Sequence, residues 1–340
     1  MSWRVTDGEW RFVLTLITTV LFFSGNTCKA QVVQLNNVAE AFEKISDHPV
    51  LYDFKKTGVK IPGGGHLQGI QGWRDAGDDS SAYIKAGFTP IEYVAITGSS
   101  NTSSYYVTVR LNSKDGEDKV VSLQKLIATP YRHAGGCQLI DKKLFVGIED
   151  NETKNKSRIM MISLPDTGKE GEKIIIERQG SYKRSTAGAV GVTQIHNDHY
   201  LVAVGDWDSR NIDFYISRLY SGKAFDSLTT FHAPDNEKWC SYQSINLLSD
   251  KAGNLFLIGF CLDENKNRAD LFKVSIEKDG TVFVPVQTRY FKCPKGTSFR
   301  YGAGVRILNE QEIEIYACQR KLKRHNFISI FRFLPKIVDI

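Results

Sequence analysis

A repeat in the sequence constrains the fold of this chain more than any other feature. Five segments begin near glycine or another small residue, continue as an apolar run, turn, and end in a second apolar run. They start at His66, His133, Ala189, Tyr242 and Tyr301, between 53 and 67 residues apart. Repeats of this length arise when one supersecondary unit packs against copies of itself. The sequence therefore predicts five related units.

Each unit supplies four strands, because two further strand-like runs follow the first pair. These runs are rich in β-branched and aromatic residues and end at Gly, Asp, Asn or Lys turns, as at residues 105–111 and 120–127. Four antiparallel strands in a unit of this size are typical of a propeller blade. We therefore predict an all-β fold: a five-bladed β-propeller with four antiparallel strands per blade. A sixth blade is the alternative, because the long first unit contains an additional segment at residues 81–86.

The two ends of the chain are predicted to close the ring. After Tyr301 the chain provides only three strands, at residues 303–308, 313–318 and 327–334. A fourth strand must cover the last one, because an unpaired edge exposes backbone hydrogen-bonding groups. Residues 49–56 have no other obvious partner, so we predict that this N-terminal strand pairs outside residues 327–334.

The N-terminus has the plan of a secretory signal peptide. Residues 12–23 are apolar or hydroxylated and uncharged, with arginines before them and Cys28 and Ala30 after them. We predict cleavage after Ala30, secretion, and no stable membrane insertion afterwards, because a spanning helix needs about 20 apolar residues. A membrane-anchored N-terminus and a lipidated Cys28 are the alternatives. The predicted organisation is a signal peptide at 1–30, an N-terminal segment at 31–48 with a short helix at 37–45, and the propeller domain at 49–340.

Composition excludes several classes of protein. The chain of 340 residues is 41% hydrophobic and 24% charged, which is ordinary for a globular protein and rules out wholesale disorder, a collagen-like repeat and a multi-span membrane protein. Its net charge is +6, but the basic residues are scattered rather than clustered, so we predict no nucleic-acid partner. Two short basic runs, at residues 154–158 and 320–324, are interpreted as solvated turns.

Cysteines and sequons fit secretion in part. Removing Cys28 leaves an odd number, so at least one thiol is free; the five are Cys137, Cys240, Cys261, Cys293 and Cys318. Four of them follow residue 239, and we predict one or two disulfides there. No C-x-x-C pair indicates a structural zinc site. Three sequons would be glycosylated in a eukaryotic secretory pathway: Asn101, Asn151 and Asn155.

Propeller geometry places one set of polar residues at one end of the axis. The inner strands run in the same direction, so their starts and the ends of the second strands share one face. The candidate catalytic residues on this reasoning are His66, His133, Glu149 and Asp206. The candidate substrate-binding residues are Gln71, Gln138, Gln194, Trp207, Tyr242, Tyr301 and Arg306. The cofactor is left open, with a divalent cation as one option.

A structural interpretation competes with this functional one. Repeated glutamines can satisfy the backbone groups of neighbouring strands, and aspartates at strand ends are frequent turn formers. The chain has no G-x-S-x-G, H-E-x-x-H or P-loop motif.

The repeat resembles five-bladed β-propellers as a class, over about residues 49–335. That class includes tachylectin-like lectins, several glycoside hydrolase families and calcium-dependent apyrases. The resemblance rests on unit count and strand pattern, and it implies the fold only. The units lack the tryptophan-rich motif of the lectins, and no early aspartate matches the hydrolase nucleophile, so no site residue carries over.

Two functions follow from the candidate residues. The first is a secreted module that binds a small polar ligand, above all a carbohydrate, in an axial funnel. The second is a hydrolase or lyase in which His66 or His133 acts as general acid or base, with Glu149 and Asp206 orienting it or holding a divalent cation, and with Arg306 stabilising developing anionic charge.

The two histidines give the sharpest expectation. His66 and His133 occupy equivalent positions of neighbouring units, so their imidazoles should point into one cavity. Repulsion between two charged rings should lower at least one pKa. Replacing either with Ala should then remove binding or turnover at little cost in stability.

Overall fold

The structure is a computed structural model that describes residues 33–54, 59–74, 92–111, 119–164, 171–195, 199–217, 224–235, 239–277, 280–293, 297–321 and 328–336. Within these residues one helix, α1, spans Val38–Glu43. Blade 1 consists of β2 (Leu67–Arg74), β3 (Glu92–Ser99), β4 (Ser103–Leu111) and β5 (Lys119–Ala128). Blade 2 consists of β6 (His133–Ile140), β7 (Lys143–Glu149), β8 (Lys156–Ser163) and β9 (Glu172–Gln179). Blade 3 consists of β10 (Ala189–Ile195), β11 (His199–Gly205), β12 (Asn211–Ser217) and β13 (Phe225–His232). Blade 4 consists of β14 (Ser244–Ser249), β15 (Leu255–Asp263), β16 (Lys266–Glu277) and β17 (Gly280–Phe291). Blade 5 consists of β18 (Ala303–Asn309), β19 (Glu312–Cys318), β20 (Ile328–Phe333) and β1 (Val50–Phe54).

The predicted five-bladed propeller is confirmed. Within the described residues, five sheets each hold four antiparallel strands. The inner strands β2, β6, β10, β14 and β18 contact one another around a closed ring. The six-bladed alternative is wrong, and the segment at residues 81–86 that suggested it lies outside the described residues.

The predicted ring closure is also confirmed. Strand β1 pairs antiparallel with β20, with Val50 opposite Arg332 and Phe54 opposite Ile328. Blade 5 therefore draws three strands from the C-terminal part of the chain and its outermost strand from the N-terminal part. This pairing covers the edge of β20 that would otherwise be unpaired.

The small residues of the repeat allow the inner strands to approach closely. A Cβ atom at Gly304 of β18 would lie 1.9 Å from the carbonyl oxygen of Ile70 in β2. A side chain at this position would therefore force blade 5 away from blade 1.

Helix α1 begins where the sequence predicted a helix and is shorter than residues 37–45. The Asn37 side chain caps it by accepting hydrogen bonds from the backbone N–H groups of Ala39 and Glu40. Val38 and Phe42 are buried in the apolar cluster between blades 4 and 5. The segment before the propeller thus packs onto it, and its burial contributes to the core.

A buried network of charges joins blade 5 to blade 1. Arg332 of β20 donates hydrogen bonds to Glu314 (2.6 Å) and to Glu92 of β3 (2.6 Å). Arg306 of β18 lies 3.2 Å from Glu314 and 3.4 Å from Glu92. Burial alone would raise the pKa of Glu92, but Arg332 and Arg306 hold that pKa below its ordinary value. The Glu92 carboxylate is therefore charged at neutral pH, and it depends on these arginines.

One disulfide, Cys240–Cys261, confirms the prediction of a bridge in the C-terminal part. Cys137, Cys293 and Cys318 are free; burial raises the pKa of Cys293 and of Cys318 to about 12. A disulfide is typical of oxidising compartments.

The predicted signal peptide and Cys28 lie outside the described residues. The described part of the chain has no helix long and apolar enough to cross a membrane.

Candidate functional site

The candidate site lies where the inner strands begin. In each blade this end also holds the end of the second strand, as the pairing of His133 in β6 with Glu149 in β7 illustrates. Side chains that start one strand and finish the next therefore meet around the axis. We call this group the mouth and define it by His66, Gln68, Ser99, His133, Glu149, Tyr301 and Arg320.

Two histidines from neighbouring blades are in contact at the mouth. The Nε2 atoms of His66 and His133 are 3.3 Å apart, and their ring centroids are 5.0 Å apart. The expected juxtaposition of the two imidazoles is present. Because the rings meet through Nε2 atoms, only one of these two atoms can carry a proton in a favourable contact.

A buried carboxylate lies behind His133. Glu149 Oε1 is 3.1 Å from His133 Nδ1, without the alignment of a hydrogen bond. Glu149 Oε2 accepts a hydrogen bond from the backbone N–H of Ala187 (2.9 Å). His133 is 4% exposed and Glu149 is 1% exposed. The Glu149 carboxylate favours a proton on the Nδ1 atom of His133, because a neighbouring carboxylate selects the tautomer whose N–H group faces it.

His66 is held by two residues of its own blade. Its Nε2 atom is 3.1 Å from Gln68 Oε1, and its Nδ1 atom is 3.3 Å from Ser99 Oγ. An amide oxygen only accepts, so the network assigns the His66 proton to Nε2 and makes Nδ1 the acceptor for the Ser99 hydroxyl. The same Nε2–H group faces the Nε2 lone pair of His133.

His66 is neutral at physiological pH. Burial, followed by the charges of His133 and Arg320, lowers its pKa from 6.5 to about 4. The expected depression of a histidine pKa is therefore present, but desolvation is its main cause and repulsion by His133 comes second. A neutral imidazole has one donor and one acceptor, and in His66 both are engaged by neighbouring side chains.

We expect the stability of the protein to fall between pH 6.5 and pH 4 because of His66. Its pKa is lower in the folded than in the unfolded state, so the unfolded chain binds the proton more readily in this window, and the free energy of unfolding falls as pH is lowered. The full difference between the folded and unfolded pKa of His66 corresponds to about 3 kcal/mol. After solvent screening, we expect the free energy of unfolding to fall by about 1–2 kcal/mol. Urea unfolding of His66→Gln across this range should show a flatter pH profile than wild type.

The exposed His232, on the outer strand of blade 3, provides the control for this measurement. His232→Gln should keep the wild-type pH profile, because it leaves His66 in place. Identical profiles for wild type and His66→Gln would contradict the assignment.

Tyr301 and Arg320 form the side of the mouth that blade 5 contributes, and Arg300 lies next to them. The Tyr301 ring meets His66 edge-on, with centroids 6.1 Å apart. The guanidinium carbon of Arg320 lies 4.1 Å from the Tyr301 centroid, and that of Arg300 lies 5.7 Å from it. Arg300 is paired with Asp208 at 3.0 Å.

Two of the predicted glutamines form hydrogen bonds between inner strands of different blades. Gln138 donates to the carbonyl of Leu247 and accepts from the backbone N–H groups of Val192 and Leu247. Gln71 donates to the carbonyl of Cys137. These contacts are those of the structural interpretation, because each amide satisfies backbone groups of other blades.

The remaining candidate residues are not gathered at the mouth. Gln194 lies near the far end of β10. Tyr242 is 1% exposed in an apolar cluster and donates to Asp270 (2.6 Å). Arg306 belongs to the charge network between blades 5 and 1.

Asp206 and Trp207 lie in the turn between β11 and β12. Asp206 accepts hydrogen bonds from the backbone and side chain of Asn211, which is the behaviour of a turn former. The Trp207 ring is partly exposed, and the Nζ atom of Lys154 lies 4.1 Å from its centroid.

Sequence reasoning places Ser99, Asp208 and Arg320 on this face, at the ends of second strands, but does not select them as site residues. It misses Gln68 altogether. Gln68 could have been found, because it follows His66 by two residues and shares its face of the strand. Arg320 was interpreted as part of a solvated turn. The described residues contain no group of three or more His, Cys, Asp or Glu side chains that could hold a metal ion.

Neither a family model nor a curated protein matches the chain. Among solved structures, it is similar to a fructofuranosidase from Schwanniomyces occidentalis (12% identity, TM-score 0.45, 81% of this chain and 57% of that chain). It is also similar to an exo-beta-1,3-galactanase from Clostridium thermocellum (12% identity, TM-score 0.45, 85% and 64%). A third similar structure is the NanB sialidase from Streptococcus pneumoniae (14% identity, TM-score 0.37, 73% of this chain and 36% of that chain). The chain thus spans less than two thirds of each of these proteins, and at this level of similarity no activity or site residue is transferred.

Proposed function

We propose that the protein binds a small polar ligand, a carbohydrate, at the mouth. The observation that carries the proposal is the contact between the two imidazoles of His66 and His133 beside the ring of Tyr301. A site of this kind combines hydrogen-bonding groups in fixed positions with an aromatic surface, which is how small polar ligands are oriented.

The side-chain chemistry favours a sugar. The neutral imidazole of His66 has a donor and an acceptor, as hydroxyl groups do, so a sugar hydroxyl can exchange with one of its present partners. The Tyr301 ring supplies an apolar surface for the C–H groups of a sugar ring. His66 and His133 are each fixed by partners from their own blades, so little side-chain entropy is lost when a ligand binds.

The carboxylates near the mouth favour binding over glycoside hydrolysis by a carboxylate pair. Glu149 is engaged with Ala187 and His133. Asp206 is engaged with Asn211, and Asp208 with Arg300. Hydrolysis with a pair of acids requires two carboxyl groups that face the ligand.

A second candidate function is a hydrolase or lyase at the same mouth. The observation in its favour is the 3.1 Å separation between Glu149 Oε1 and His133 Nδ1. A carboxylate in this position stabilises the imidazolium that forms when His133 Nε2 takes a proton from a substrate. Release of reducing ends or of unsaturated sugars during incubation with glycans would select this candidate.

We further propose that the protein works outside the cytoplasm. The Cys240–Cys261 disulfide supports this location, together with the signal-peptide pattern at residues 12–23.

A panel of neutral and acidic mono- and disaccharides, screened by thermal shift and calorimetry, tests the proposed function. We expect at least one sugar to raise the melting temperature, because a ligand that binds only the folded state stabilises it. Tyr301→Ala should lower the affinity for that sugar about tenfold, as expected for loss of an aromatic contact worth about 1.5 kcal/mol.

The control is Tyr182→Ala, which removes an exposed tyrosine outside the mouth. It should leave the affinity unchanged. Binding of no sugar, or equal weakening by both substitutions, would rule out carbohydrate binding at the mouth.

A further inference from the structure

We propose that the ligand of the mouth carries an oxyanion, and that Arg320 binds this group. The inference rests on the proposed function, because it names the class of sugar that the mouth selects: an acidic saccharide. Its basis is the arrangement of Arg320 on Tyr301 and the distribution of charge around the mouth.

Arg320 is held in place without a carboxylate partner among the described residues. Its guanidinium lies over the Tyr301 ring at 4.1 Å. Its backbone carbonyl accepts a hydrogen bond from the N–H of Leu67 (2.8 Å), which ties the residue to the start of β2. A guanidinium stacked on an aromatic face keeps its N–H groups, which point along the plane, available for an anion.

Arg300 provides a comparison within the same site. It approaches the same tyrosine ring, but its Nη2 atom is paired with Asp208 Oδ1 at 3.0 Å. Asp208 also accepts a hydrogen bond from Ser241. The charge of Arg300 is therefore neutralised inside the protein, whereas that of Arg320 is not neutralised by any described side chain.

The carboxylates around the mouth leave an excess of positive charge beside the histidines. Glu149 is buried and is already engaged with His133 and with the backbone of Ala187. Lys321, next to Arg320, is exposed and adds a second positive charge, and both cations help to lower the pKa of His66. A neutral sugar has no anionic group that could pair with these two cations.

The guanidinium group indicates which oxyanion fits. Its planar fork matches a carboxylate with two parallel hydrogen bonds, as in uronic acids. A sulfate or phosphate ester offers the same shared chemistry, an oxyanion on a sugar, so the experiment includes all of these groups.

The experiment compares matched sugars by calorimetry at pH 7 and low salt. The probes are the methyl glycosides of glucose and galactose, their uronic acids, and their 6-sulfates and 6-phosphates. We expect wild type to bind an acidic sugar about tenfold more tightly than its neutral parent, since a charge-assisted hydrogen bond is worth about 1.5 kcal/mol. The ratio of acidic to neutral affinity should fall to about one in Arg320→Gln and recover in part in Arg320→Lys.

Lys143→Gln is the control. Lys143 also contacts a tyrosine ring, that of Tyr200, but in the hairpin between β6 and β7 at the opposite end of the propeller. Lys143→Gln also removes one positive charge, and it should leave the ratio of acidic to neutral affinity unchanged.

Each outcome has a separate meaning. Equal affinity of wild type for acidic and neutral sugars, or an unchanged ratio in Arg320→Gln, overturns the assignment of Arg320 and leaves carbohydrate binding intact. Binding of neither series overturns the proposed function itself. Preference for a sulfate or phosphate over the uronic acid supports the oxyanion site and assigns its occupant.

Discussion

Arg332→Met should lower the free energy of unfolding by about 3–5 kcal/mol, the usual cost of removing one partner of a buried ion pair. Arg332 bridges Glu92 of blade 1 and Glu314 of blade 5. Glu314 is completely buried. Methionine fills a similar volume but donates no hydrogen bond, so two buried carboxylates share the remaining arginines. Because the network spans the closure of the ring, the loss weakens the whole propeller. Urea denaturation followed by fluorescence measures the effect.

Lys251→Met is the matched control for this prediction. Lys251 pairs with Glu310, and both side chains are about half exposed. Exposed ion pairs contribute about 0.2–1 kcal/mol, so this variant should remain close to wild type. If Arg332→Met lost no more stability than Lys251→Met, the network would not be holding blades 5 and 1 together.

The propeller could be predicted because its signals are periodic and local. The five starts from His66 to Tyr301 recur at similar spacings, and each strand carries its own alternation. Closure by β1 followed from the cost of an unpaired edge after the last unit. The charge network could not be predicted, because Glu92 and Arg332 lie far apart in sequence and meet only when the ring closes.

The positions of the candidate site residues could be predicted only where equivalent positions of the repeat meet at the axis. His66 and His133 were found in this way, and Glu149 followed from the end of the paired strand. Tyr242 occupies the equivalent position of blade 4 but does not reach the mouth, because its ring packs into the apolar cluster between blades 3 and 4. A repeat assigns a position along the blade, but the direction of a side chain outside the strands depends on the local backbone.

The burial of His133 changes what its replacement should do. The sequence led us to expect that His133→Ala would cost little stability, because a residue that lines a funnel fills no core. In the structure His133 is 4% exposed and stands against the buried carboxylate of Glu149. Truncation would leave this buried carboxylate without the polar group that lies 3.1 Å from it, which costs about 1–3 kcal/mol. His133→Ala therefore mixes an effect on folding with an effect on binding.

Two conservative substitutions separate these effects, because Asn resembles histidine at Nδ1 and Gln resembles it at Nε2. His133→Asn keeps an N–H group directed at Glu149 and removes the group that meets His66. It should retain stability to within about 1 kcal/mol and lower the affinity for the sugar at least about tenfold. His133→Gln keeps a polar atom near His66 and removes the polar group beside Glu149, so it should lose about 1–3 kcal/mol of stability and retain more of the affinity. Unfolding curves and calorimetry on the same preparations measure both quantities. The reverse pattern, with His133→Asn unstable but fully able to bind, would make His133 a structural residue and remove it from the ligand site.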